Sequence, residues 1–127
     1  AMEEPTAGLL SWRKFNINIM KVIKNNVLPF KGFSGINLFG FLFVRKGTQV
    51  TEKMLNHERI HTEQMKEMAY VFFYLWYAIE WIVRFIKVKN AHTAYRNISF
   101  EAEAYQNEAN TAYLDHRKHY VWTNYLL

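Results

Sequence analysis

Residues 51–68 read TEKMLNHERIHTEQMKEM, and the spacing inside this stretch decides the fold of the chain. Met54, Leu55, His57, Glu58, His61, Met65 and Met68 recur at steps of three and four, the period of a helix that turns one face inward. Thr51 is a natural N-cap, and Glu52 falls in the first turn, where the helix dipole favours an acid. The pattern predicts a helix over residues 51–67. His57 and His61 stand four apart, so both imidazoles project from one face about one turn apart and can reach a single ion. Glu58 follows the first imidazole directly, which puts its carboxylate beside such an ion without ligating it, in position for proton transfer as a general base. The competing interpretation is two surface histidines with Glu58 in an ordinary helix-face contact.

Upstream, Ile36 to Val44 is rich in Phe, Leu and Ile and is interrupted by Gly40, which predicts one strand or a tight hairpin. Arg45-Lys46-Gly47 reads as a turn and Thr48 to Val50 as a short partner strand, so residues 36–50 form the small sheet. Residues 7–27 carry apolar side chains at mixed spacings and are read as an N-terminal helix. Downstream, residues 69–79 are continuously apolar and aromatic (AYVFFYLWYAI), and the helix predicted over 69–89 carries Glu80 and Arg84 four apart. Eleven uninterrupted residues span about 16 Å, well short of a ~30 Å hydrocarbon core, which favours a buried core helix. Its Tyr and Trp content also suits a peripheral membrane contact or a homo-oligomer interface. Ala91 to Ser99 is a connector, and Ser99 caps a last helix over 99–120. The expected fold is α+β, mostly α, with three or four helices and a short hairpin or small sheet ahead of the motif helix, in one domain.

Composition limits the chemistry. The 127 residues include no cysteine, so disulfides and thiolate metal sites are excluded and any metal must use His, Asp or Glu. The net charge of +5 is spread along the chain without the five or six like charges that mark a binding tail. No phosphate-cradling glycine loop, dinucleotide fingerprint or interleaved basic and aromatic module appears, so nucleic acid is not an expected partner. The N-terminal stretch lacks an unbroken apolar segment followed by a small-residue cleavage site, which predicts a cytoplasmic chain, membrane-associated if the aromatic helix contacts lipid.

A catalytic zinc needs a third protein ligand and an open position for water. Glu101, Glu103, His92, Glu108, Asp115, His116 and His119 are the available candidates. For the far nitrogen of each histidine, Asn56, Glu63, Glu108 and Asp115 are available partners. An oxyanion donor must come from His92, Tyr95, Arg96, Tyr105 or Tyr113, none singled out by spacing; for each, packing or surface polarity is the competing role.

The stretch NHERIHTEQ, followed some forty residues on by SFEAEAYQNE, resembles the gluzincin metallopeptidases, in which a glutamate at the start of a later helix completes His, His, Glu coordination of zinc. Several such families carry that ligand in a Glu-x-x-Ala pattern, among them the prenyl-protein and heat-shock membrane peptidases and the anti-repressor-cleaving peptidases. Glu101-Ala102-Glu103-Ala104 contains the pattern, and Tyr105 stands where those families carry Asp or Asn. The layout over residues 36–108 is similar to the minimal gluzincins. The resemblance implies one zinc ion held by His57, His61 and Glu101, with Glu103 on a different helix face, and Glu58 as the base of a peptide hydrolase. It also implies a peptide or protein substrate paired with the strand edge at Ile36 to Val44. The alternative is a non-catalytic module, stabilised by metal or lying on a membrane, that uses residues 69–81 to engage a partner.

Overall fold

The computed structural model describes residues 20–29, 33 and 35–126. Three short strands, β1 (Val22–Asn25), β2 (Gly35–Leu38) and β3 (Phe41–Arg45), precede five helices. These are α1 (Glu52–Glu67), α2 (Val71–Val88), α3 (Ala91–Asn97), α4 (Ser99–Asn107) and α5 (Tyr113–His116), and a 3-10 turn covers Val121–Tyr125. The fold is α+β and mostly α, as the periodicities predict.

β2 and β3 form the expected hairpin, with Ile36 opposite Phe43. Its two-residue turn places Phe39 at φ 53° and Gly40 at φ 93°, the left-handed pair that matches the twist of a tight hairpin. Thr48–Val50 is not its partner strand. Gly47 at φ 87° turns the chain away after β3, and the second edge of β3 is taken by β1, which runs parallel to it with Val22 opposite Leu42. Residues 22–25 are thus strand where a helix was expected. Two β-branched residues, Val22 and Ile23, suit a pleated edge, and the distant partner that selects this conformation is invisible to local periodicity. The remainder of the expected N-terminal helix, residues 7–19, lies outside the described residues.

Thr51 caps α1 as predicted, accepting the Met54 N–H at 3.1 Å. The sheet sits directly on this helix: a Cβ at Gly35 would lie 2.7 Å from Met54 Cε and 2.9 Å from Leu42 Cδ1, so any larger residue would have to push these side-chain ends aside. Asn37 ties the same strand to α1 by donating to the Glu58 carbonyl and to Thr62 Oγ1, both at 2.8 Å. After α1 the chain bends by 108° through Ala69 and Tyr70, both at positive φ, and α2 begins. Met65, Phe73, Ile98, Phe100 and Trp122 form the core cluster beneath the bend.

α2 is not a buried core helix. Its buried positions are Phe73, Glu80 and Arg84, whereas Phe72, Leu75, Ile79, Ile82 and Ile86 face outward. The polar pair is inside because it has work there. Glu80 accepts from Arg84 Nε at 2.8 Å and from both the N–H and the Oγ–H of Ser99 at 2.6 Å, and so caps the start of α4 from a neighbouring helix. Ser99 therefore donates to a cap rather than acting as one. The connector Ala91–Asn97 is itself a helix, capped by the Asn90 side chain, which accepts the Thr93 N–H at 2.9 Å. The last helix ends at Asn107, not residue 120: Asn56 Nδ2 donates to the Glu108 and Asn110 carbonyls at 2.8 and 2.9 Å and holds an irregular turn there. These two departures raise the helix count among the described residues to five.

Candidate metal centre

α1 and α4 pack side by side and bring His57, His61 and Glu101 together, all buried. The two Nε2 atoms are 3.1 Å apart. His57 Nε2 lies 3.2 Å from Glu101 Oε1, and His61 Nε2 lies 3.1 Å from Glu101 Oε2. The outward nitrogens fix the tautomers. His57 Nδ1 stands 2.8 Å from the Glu108 carboxylate, and His61 Nδ1 stands 2.8 Å from Gln64 Oε1. Gln64 Nε2 donates to the Phe100 carbonyl and to Glu103 Oε1, which leaves its oxygen facing the histidine. Both Nδ1 atoms therefore donate, and each neutral ring aims an Nε2 lone pair at the other and at a carboxylate. Acceptors converge on one point with a single donor among them, the Tyr77 hydroxyl, 2.7 Å from Glu101 Oε2.

That arrangement suits a cation. The two nitrogens are 3.1 Å apart and each lies 3.1 to 3.2 Å from its own oxygen of the Glu101 carboxylate, so the triad could hold a metal ion. In the ion's absence a proton takes its place. Burial disfavours the His61 imidazolium, but the Glu101 carboxylate, with Glu58 and Gln64, outweighs burial and pushes the pKa up to about 9. Burial likewise favours neutral Glu101, and the two histidines overcome it to hold that carboxyl well below the usual range.

Glu58 is buried on the same helix and lines the same cavity as the triad. Burial raises its pKa; the histidines oppose that rise, and the Glu101 and Glu108 charges add to it. A carboxyl raised in this way is a better proton carrier near neutrality than an ordinary glutamate. The cavity has a volume of about 740 Å³ and lies between β2, α1, α2 and α3, with Ile36, Met65, Phe73, Tyr77 and Trp81 among its mostly apolar walls. His92 and Tyr95 reach it from α3. Tyr105 faces the other side of the triad, its ring 4.5 Å from that of His57 and its hydroxyl 3.0 Å from the Tyr95 hydroxyl. The Arg96 guanidinium lies over the Tyr105 ring at 3.7 Å, away from the triad. Burial, then the Glu101 charge, raises the pKa of both Tyr77 and Tyr95, so their hydroxyls stay protonated as donors.

The remaining candidates lie elsewhere. Glu103 turns to the far face of α4, where Tyr113 Oη, Arg117 and Gln64 donate to it. Arg117 bridges onward to Glu67 at 2.7 Å, and His119 approaches Glu67 at 3.3 Å. Glu63 pairs with Lys66 at the surface, and Asp115 and His116 are exposed on α5. Asn56 supports the turn that carries Glu108 rather than a histidine. Sequence reasoning passed over Gln64 and Tyr77. Gln64 lies one turn beyond His61, a spacing that could have flagged it, whereas Tyr77 is one of eight tyrosines in an apolar run and carried no distinguishing signal. No family model matches this sequence, and comparisons with curated proteins and with solved structures return no match either.

Proposed function

We propose that this chain is a zinc-dependent peptide hydrolase with His57, His61 and Glu101 as the metal ligands. The observation that carries the proposal is the convergence of two Nε2 lone pairs and one carboxylate on a single point beside buried Glu58. Three ligands from nitrogen and oxygen donors leave a fourth position open, the pattern of a catalytic zinc rather than a closed structural one. Bound there, zinc supplies Lewis acidity and lowers the pKa of water.

The chain's own residues supply the rest. Glu58 takes a proton from the attacking water and passes it to the leaving amine, and its raised pKa suits both transfers. Glu108 and Gln64 hold the histidine rings in register through Nδ1. Tyr95 and His92, in the wall of the same cavity, are the donors we assign to a developing oxyanion, since the Tyr77 hydroxyl is engaged by Glu101. β3 is paired on both sides, and of the two outer strands it is β2 that lines the cavity, through Gly35, Ile36 and Asn37, so β2 is the edge an incoming peptide would extend. The Tyr74 hydroxyl already bonds the Asn37 carbonyl at 3.1 Å, which confines that pairing to the Gly35 end.

The test is zinc content per chain together with cleavage of an internally quenched random-peptide library. The parent protein and Glu58→Gln should both retain about one zinc, and cleavage should be lost in Glu58→Gln. Absence of zinc from the parent after zinc addition and dialysis overturns the proposal.

A further inference from the structure

α2 reverses the usual arrangement of an amphipathic helix. Phe73, Tyr77, Glu80 and Arg84, at steps of four and three, face the protein and include its one acid, fully engaged with Arg84 and Ser99. Phe72, Leu75, Ile79, Ile82 and Ile86, at steps of three and four, form the opposite stripe, with exposures of 50 to 66%. That stripe runs about 21 Å along the axis. Val83 widens it, as do the partly exposed rings of Trp76 and Phe85, which pack on Trp122 and Trp81. A continuous apolar face of this size on a folded chain marks a contact surface.

Charge says which contact. The exposed positions of α2 carry no carboxylate, and the cations Lys87 and Lys89 lie exposed at its C-terminal end. A second copy presenting the same face would bring apolar side chains but no acid to meet these lysines. A bilayer surface brings both, since acyl chains take the stripe and anionic headgroups take the ammonium groups. Among the described residues no single helix is long and apolar enough to cross a membrane, and the one pair that passes by length and composition is bent by 108° before α2. We infer that α2 is an interfacial helix that seats the protein on membranes containing anionic lipid, with Phe72, Leu75, Ile79 and Ile86 in the acyl boundary and Lys87 and Lys89 among the headgroups.

The experiment is sedimentation of the full chain with phosphatidylcholine vesicles, with and without 30% phosphatidylglycerol, alongside light scattering in buffer. It needs no hydrolysis and stands apart from the peptidase proposal. The parent should sediment with vesicles and more strongly when phosphatidylglycerol is present. Leu75→Glu combined with Ile86→Glu should reduce partitioning on the order of a hundredfold, because two exposed side chains lose their burial in lipid. Both positions are outside the core and the cavity, so an unchanged circular dichroism spectrum and melt should accompany that loss. Lys87→Gln combined with Lys89→Gln should reduce binding about tenfold or more to the anionic vesicles and leave the neutral ones unaffected. A parent that ignores vesicles of either composition overturns the inference, whether it is a monomer or a stable dimer in solution. Equal binding by the Leu75 and Ile86 double variant overturns it as well.

Discussion

Replacing Glu80 with alanine tests the link between the inverted helix and the metal centre. The substitution strands the Arg84 guanidinium, whose side chain is 10% exposed, and removes the acceptor of both the Ser99 N–H and its hydroxyl. Breaking one partner of a buried ion pair costs about 3–5 kcal/mol, and the lost cap overlaps with that cost, so about 4 kcal/mol is expected in total. For a domain of this size each kcal/mol lowers the melting temperature by about 3–5 °C, so Glu80→Ala should melt about 15 °C below the parent. The measurement is thermal denaturation by circular dichroism in chelator, with Glu80→Ala, Arg84→Met and the double variant forming a cycle. The double variant should regain a large part of the loss, because no charge is then left uncompensated. Ser99 is two residues ahead of Glu101, so zinc affinity by competition with a chelating dye should also fall in Glu80→Ala. A single variant melting within about 3 °C of the parent refutes the reasoning, as does a double variant no better than the single.

Glu103→Ala should retain zinc but lose several kcal/mol of stability, because Arg117 and Tyr113 lose a buried acceptor, whereas Glu101→Ala should keep its fold and lose the metal; the reverse pattern in elemental analysis would reassign the ligand. Stability of the metal-free protein should fall between about pH 6.5 and pH 9. The His61 pKa is raised from 6.5 to about 9, so its contribution is complete below the unfolded value and disappears as pH climbs through the folded one, a loss on the order of 3 kcal/mol. Glu101 is shifted down and contributes above the ordinary carboxylate range, which leaves the pair at full strength near pH 5 to 6. Melts in chelator at pH 6 and pH 9 check this, and a higher melting temperature at pH 9 would refute it.

The motif helix, its Thr51 cap, the hairpin and the pairing of His57 with His61 were legible because each is written in local spacing, whereas spacing left seven candidates beside the histidines and only the resemblance singled out Glu101. The parallel pairing of β1 was not, since Val22 and Ile23 acquire their conformation from β3, about twenty residues away. The inversion of α2 was hidden for a different reason. Apolar content says that a helix has a face to cover, but not whether the cover comes from the chain itself. The spacing of Glu80 and Arg84 shows that they can pair on one face of the helix but not which way that face turns, and it is the Ser99 N–H and hydroxyl that meet Glu80 on the inside. The break at Asn107 depends on Asn56, fifty-one residues earlier in the chain, donating to the carbonyls of that turn.

The Arg117 bridge has a consequence for the order in which the protein is made. Two carboxylates, Glu67 at the end of α1 and Glu103 in α4, are sealed from water by one guanidinium that leaves the ribosome after both. Until it arrives, closing α1 against α4 buries an uncompensated negative charge, at a cost of several kcal/mol. Gln64 touches Glu103 on one side and His61 on the other, so the His61 ring is steadied by the same late event. A nascent chain short of Arg117 already carries His57, His61 and Glu101 but not the cation that neutralises Glu67 and Glu103 between α1 and α4, so closing the triad is favoured only once Arg117 has been made.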